Sequence, residues 1–432
     1  MARAVNAKHY PFVCIGKGVL LLMEDNRKTQ IKNELLVFFA IVALTGLAMG
    51  MSDSVISNFF KDAYDVTAVQ RGFLELPREG PGVLLFLIIA FTSAIGDVRL
   101  AIISQALCAI GAFALGIHTP SFAVMSIYVF INSLGMHVYI PLQDSIGMSI
   151  IGQDQFGKVM GQYTAVRTAC TMLASILVFF GFRMGFFSFK TPIKLPFLIG
   201  AVGFLGVLAL YVLLYTKYKV YGQARKTQFQ IVIKKEYTLY YCLAVLTGIH
   251  RQIMVVFGPW VLIELLSQQA DTLAMLGIIS ALVGAACLPV IGRWIDRFGA
   301  KVVLLAEALA FFFVYIIYGL LSGGFMDGSM ATVGIPVLIV CVLFVLDRFA
   351  MQIGMARTVY LRTIATDPAD ITPTISAGLS MDHVVSITCA YMGGVVWNGL
   401  GPQYVFYIGA LVALVNVGVT LLMKSVSAAS AV

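Results

Sequence analysis

An all-α membrane protein, with twelve transmembrane helices in two six-helix bundles, is the fold class this sequence predicts. Composition, the length of its apolar runs and the placement of positive charge predict it. The chain has 432 residues, 60% hydrophobic and 12% charged. A soluble domain carries about 25% charged residues. A soluble protein of this size covers its surface with charge; this chain lacks the residues to do so and is covered by lipid instead.

The second observation is length. A helix needs about 20 apolar residues to cross the hydrocarbon. Such runs occupy 34–60, 70–95, 98–117, 121–149, 157–182 and 194–216, then 237–264, 272–293, 300–321, 331–355, 373–397 and 402–423. The stretch 217–236 between the two sets is polar and rich in Lys and Arg, so it reads as a cytoplasmic linker. The division that follows is a cytoplasmic segment at 1–33, a bundle at 34–216, the linker at 217–236, a bundle at 237–423 and a cytoplasmic tail at 424–432. The short apolar stretch 11–23 lacks a cleavage signature and reads as a lead-in along the membrane surface.

Charge placement is the third. Most of the 29 Lys and Arg fall in the tails, the linker and the loops on the linker's side. The positive-inside rule puts these on the cytoplasmic face, with both termini. The same asymmetry explains the net charge of +8 without a nucleic-acid partner. Seven cysteines, scattered and mostly in apolar runs, form no Cys-x-x-Cys pair and read as small buried hydrophobes.

The halves resemble each other weakly. The first carries SAIGDVRLAIISQAL at 93–107 and the second GRWIDRFGAKVVLLAEAL at 292–309, each with an Asp beside a basic residue between two spans. The run from Gly292 through Asp296, Arg297 and Gly299 to Lys301 closely resembles the loop signature of the major facilitator superfamily. Gly292 allows close helix packing, and Gly299 supplies the turn. The first-half copy departs from the signature: Ser93 replaces Gly, and no second Gly follows Asp97 and Arg99. Gly157-Lys158-Val159-Met160-Gly161 is a second partial match. The resemblance implies twelve spans, alternating access and monomeric function. It also implies that Gly292, Asp296, Arg297 and Gly299, with Asp97 and Arg99, act as a latch for one conformation. It names no substrate.

Ionisable groups within spans cost at least a few kcal/mol unless paired or hydrated, so they are the candidate site. The superfamily places the first, fourth, seventh and tenth spans around a central cavity. Arg251 in the seventh is the best single partner for an anionic group, because its fork matches carboxylate or phosphate. An ion pair with Asp382 or Asp347 is the structural alternative. His250, Arg78, His137 and Arg348 complete the substrate-binding set. Asp53, Glu79, Asp382 and His383 are the candidate carriers of a coupling proton. Asp144 and Arg167 lie at matched depth and are expected to form a structural ion pair.

These features predict a secondary transporter of a small anionic or zwitterionic solute, coupled to H+, with no cofactor and only the bilayer and the solute as partners. A transition-metal transporter is the alternative, with His250 and Met254 on one helix and Met351 and Met355 on another, each pair four residues apart. Efflux of multidrug or lipid-like molecules is a third reading. Neither a nucleotide-binding loop nor a Gly-x-Ser-x-Gly elbow nor a His-Glu-x-x-His motif occurs, so an enzyme is not expected.

Overall fold

A computed structural model describes residues 17–92, 95–151, 156–220, 234–367 and 370–423. Within them lie fourteen α-helices. The first half holds α1 (Lys17–Asp53), α2 (Ile56–Tyr64), α3 (Ala68–Phe73), α4 (Glu75–Thr92), α5 (Asp97–Ile117), α6 (Phe122–Ile151), α7 (Phe156–Arg183) and α8 (Leu195–Thr216). The second holds α9 (Thr238–Trp260), α10 (Ala270–Met326), α11 (Ile335–Gln352), α12 (Met355–Ile364), α13 (Ile371–Gly399) and α14 (Pro402–Leu421). A π turn, Val261–Leu265, extends α9. Helix α10 bends at Gly299, where φ is 80°, so its two arms make the eighth and ninth spans. Counted this way, α1, α4 to α9, both arms of α10, α11, α13 and α14 are the twelve spans.

Three boundaries differ from the expectation. Helix α1 begins at Lys17, not near residue 34, and runs 37 residues, about 55 Å at 1.5 Å per residue. That exceeds a hydrocarbon core of about 30 Å, so one end projects beyond it. The run read as one span at 34–60 breaks after Asp53, and the run at 70–95 breaks at Leu74; short helices α2 and α3 carry the chain between them. Thr67 and Gln70 close a capping box at the start of α3. Apolar residues flank both breaks, so run length alone does not mark them. The segment 1–16, Ser93, the linker core 221–233 and the tail 424–432 lie outside the described residues.

The turn signature holds at Gly299, whose positive φ is costly for a residue with a Cβ. In the first half Gly96 has φ 82° and takes that role. The equivalent glycines are therefore Gly96 and Gly299. Asp97 follows its turn, whereas Asp296 precedes its own, so the two aspartates are not counterparts. Asp97 is buried and accepts a hydrogen bond from Ser145 on α6. Arg99 donates to the Tyr215 hydroxyl at 2.6 Å. Both residues tie the start of α5 to its own half. Asp296 and Arg297 are exposed, with the Arg297 guanidinium 5.2 Å from the Phe298 ring.

The apolar cores show how the halves meet. At the end of the molecule that holds the linker, each half has its own. One centres on Phe38, Val98, Ile146 and Leu214; the other centres on Leu243, Ile291, Val303 and Ile353. At the opposite end a single core runs through both, from Phe59, Phe60 and Phe197 to Val256, Phe257 and Trp260. Asn58 donates to the Gln268 carbonyl at 3.3 Å, and Arg183 lies 3.7 Å from Asp271. Glycines allow the closest approach: a Cβ on Gly72 would stand 2.2 Å from the Ala390 carbonyl oxygen, and one on Gly394 2.5 Å from that of Ala68. The halves thus close on each other at the end away from the linker.

Candidate functional site

At mid-depth, where this closure begins, polar groups replace the apolar core. Helix α4 supplies the first of them. Its opening sequence, Glu75-Leu76-Pro77-Arg78-Glu79, puts three charges within little more than one turn. Residues three and four apart lie side by side on a helix. Glu75 is fully buried and stands 2.6 Å from both Arg71 and Arg78. Arg71 is itself fully buried. Its carboxylate partner one turn later is the signal that marks it. Ser133 on α6 donates to the Arg78 carbonyl oxygen, and His137 one turn on lies 3.1 Å from the Ser133 hydroxyl.

Asp53, Arg78, Glu79, Asn132, Ser133 and His137 line a cavity of about 190 Å³ within the first half. Helices α1, α4 and α6 thus bring together four of the predicted site residues: Asp53, Arg78, Glu79 and His137. The second half completes the cluster through α13. Glu79 accepts from His383 Nδ1 at 2.8 Å, across the boundary between the halves. The His137 and His383 rings lie 5.2 Å apart.

Next to this cluster, Arg251 donates to Asp382 Oδ2 at 2.5 Å and to Ser386 at 3.1 Å. The ion pair offered as the alternative to an open arginine is the arrangement found. The guanidinium still keeps 35% of its side chain exposed, against 16% for Asp382. Neighbours on a helix point about 100° apart. Asp382 and His383 use that angle to reach two partners, one in their own half and one across the boundary.

The same angle overturns the placing of His250. With Arg251 turned to the boundary, His250 points into the second half. It is fully buried and stacks on Phe311 and Tyr315, with ring centroids at 4.9 and 5.4 Å. It lines no cavity. Arg348 also lies outside the cavity lining, its guanidinium 5.1 Å from the Phe344 ring. Its neighbour Asp347 is fully buried, and neither carboxylate oxygen has a hydrogen-bond partner among the described residues. Sequence reading held Asp347 only as a counter-ion; nothing in the linear pattern distinguishes it from Asp382.

Asp144 and Arg167 do not form the expected ion pair. The Tyr163 hydroxyl donates to Asp144 instead, and the Arg167 guanidinium lies 6.0 Å from the Tyr163 ring. Tyr163 sits one turn before Arg167 on α7 and reaches the carboxylate in its place. His250 and Met254 are buried, with Met254 against Gly258, while Met355 is 40% exposed. Among the described His, Cys, Asp and Glu residues, the donor atoms of Glu79, His137 and His383 lie together.

Neither the family models nor the curated proteins searched match this chain. Solved structures do. A mutant form of the nucleoside transporter NupG is similar over 91% of this chain and 100% of that one, with TM-score 0.73 and 14% identity. A POT family transporter in complex with a thioalcohol-conjugated peptide gives 0.70 at 13% identity, over 90% and 95%. A bacterial homolog of the human lysosomal transporter Spinster gives 0.62 at 13%, over 90% and 96%. These likenesses show the fold: the major facilitator fold, twelve spans in two six-helix halves. The chain is a multi-pass membrane protein.

Proposed function

We propose that this protein is a secondary active transporter that moves a small polar solute, anionic or zwitterionic, by alternating access with H+ as the coupling ion. The observation that carries the reading is the charged cluster at mid-depth, lining a cavity where the halves meet. Buried charge is costly in a bilayer, and an ion pair adds little stability over well-packed apolar groups. A site built to bind a charged solute has a reason to keep it. Two-half transporters hold their substrate at this place and rock about it. The single core at one end and the separate cores at the other fit one of the two states such rocking needs. The nucleoside and peptide transporters that share the fold handle small polar solutes.

In this reading Arg78 meets the anionic group in the cavity, and His137 and Asn132 add hydrogen bonds. Arg251 joins when Asp382 releases it. Asp53, Glu79, Asp382 and His383 carry the proton. The protein works as a monomer in a bacterial inner membrane, with its termini in the cytoplasm, as its positive loops favour. The charges of Asp53, Arg78 and Glu79 in the lining count against a wide apolar cavity for lipophilic efflux.

The test is thermal unfolding of the detergent-purified protein against organic anions, amino acids, sugars, lipophilic drugs and transition metals. A ligand present at 100 times its Kd adds about 2.7 kcal/mol to the folded state. A carboxylate or phosphate compound should raise the midpoint of wild type and leave Arg78→Ala unmoved. Stabilisation by lipophilic drugs alone, undiminished in Arg78→Ala, would sink the proposal.

A further inference from the structure

The group of Glu79, His137 and His383 carries an inference beyond solute transport. Each residue offers one donor atom, and the three atoms lie within 4.8 Å of one another. Two imidazoles and a carboxylate are a donor set for borderline divalent ions of the zinc type. Zinc–nitrogen bonds of about 2.0–2.1 Å put two ligand atoms at most about 4.2 Å apart. The present spacing is therefore a small side-chain rotation from closure.

The surrounding hydrogen bonds prepare the histidines. His137 Nδ1 lies 3.0 Å from the Ser133 carbonyl oxygen, which only accepts, so Nδ1 carries the proton. That leaves the lone pair on Nε2. Metal-binding histidines commonly fix their second nitrogen in this way. His383 Nδ1 already faces Glu79 Oε2 at 2.8 Å; when the ring proton moves to Nε2, Nδ1 and the carboxylate are free to ligate one ion between them. Two arginines stand near, but Arg78 is paired with Glu75 and Arg251 with Asp382, which offsets their repulsion of a cation.

We propose that these three residues form a binding site for a divalent transition-metal ion that bridges the two halves. Glu79 and His137 come from the first half and His383 from the second. The ion favours the state in which they meet and draws the equilibrium toward it by its differential affinity. The site shares no residue with the soft-ligand set of His250 and the methionines. It stands whatever solute the cavity takes.

The experiment uses the full chain in detergent, free of any histidine tag, with ZnCl2 as the probe. Zn2+ should raise the unfolding midpoint of wild type. His137→Ala and His383→Ala should each weaken Zn2+ binding at least about tenfold, since even outer partners of metal ligands cost that much. His118→Ala, at the outer end of α5, should bind as wild type does. Should His383→Ala fail to fold, His383→Gln takes its place. Zn2+ should also slow maleimide labelling of Asn58→Cys at the closed end, and only while all three ligands are present. A wild type indifferent to Zn2+, or a shift of equal size in His137→Ala, overturns the proposal.

Discussion

Glu75 stands 2.6 Å from each of two arginines and is fully buried. Breaking a buried pair by removing one partner costs about 3–5 kcal/mol, because the other charge is left unpaired. Glu75→Gln strands Arg71 in particular, since Arg78 borders the cavity and keeps 24% of its side chain exposed. The double variant Arg71→Met, Glu75→Gln removes both buried charges and should recover much of the loss. Thermal unfolding of the two variants checks this; equal midpoints would show that Arg71 is not the stranded charge. Arg78, Glu79, Asp53 and His137, each an ionisable group inside an apolar run, line one cavity. His250 has the same signature and a different fate. A one-residue step along a helix turns a side chain by about 100°, and no linear pattern says which neighbour takes the cavity.

Helices α3 and α13 touch through glycine. The Cβ positions of Gly72 and Gly394 would stand 2.2 and 2.5 Å from carbonyl oxygens of the facing backbone. Neither can gain a methyl group without parting the helices there. Gly72→Ala and Gly394→Ala should therefore shift the protein toward the state open at this end. Faster maleimide labelling of Asn58→Cys, which is 1% exposed in the closed arrangement, would report it. Unchanged labelling in both variants would mean that the contact does not set the equilibrium. Element existence was legible from apolar run length, element ends less so. The breaks after Asp53 and at Leu74 interrupt hydrogen bonding but are flanked by apolar residues, and the charges of Arg71 and Glu75 neutralise each other out of sight of solvent.

At the scale of the molecule, the two halves share one apolar core at the end away from the linker. Burial of this kind contributes roughly 25 cal/mol per Å² in water, and within a bilayer close packing takes over that role. The linker is then not needed to hold the halves together. Chains cut within it and expressed together should copurify on a tag carried by either half. Separation of the two fragments would show that the shared core does not suffice. Asp296 and Arg297 are exposed at the end where the halves keep separate cores.

The sequence by itself determined the solvent, the number of spans, their division into six and six, and the glycine turn at residue 299. Composition, run length and backbone conformation are properties of short stretches, and they act without knowledge of distant residues. Only the tertiary structure decided which charges meet. Glu79 and His383 lie 304 positions apart, and Arg251 and Asp382 lie 131 apart. Rotation of each helix about its axis, fixed by packing against its neighbours, chose Arg251 over His250 for the boundary and left Asp347 buried with no hydrogen-bond partner among the described residues. Tyr163 displaced Arg167 from Asp144 for the same reason. Depth in the membrane is written in the order of residues, whereas direction around a helix is settled by what packs against it.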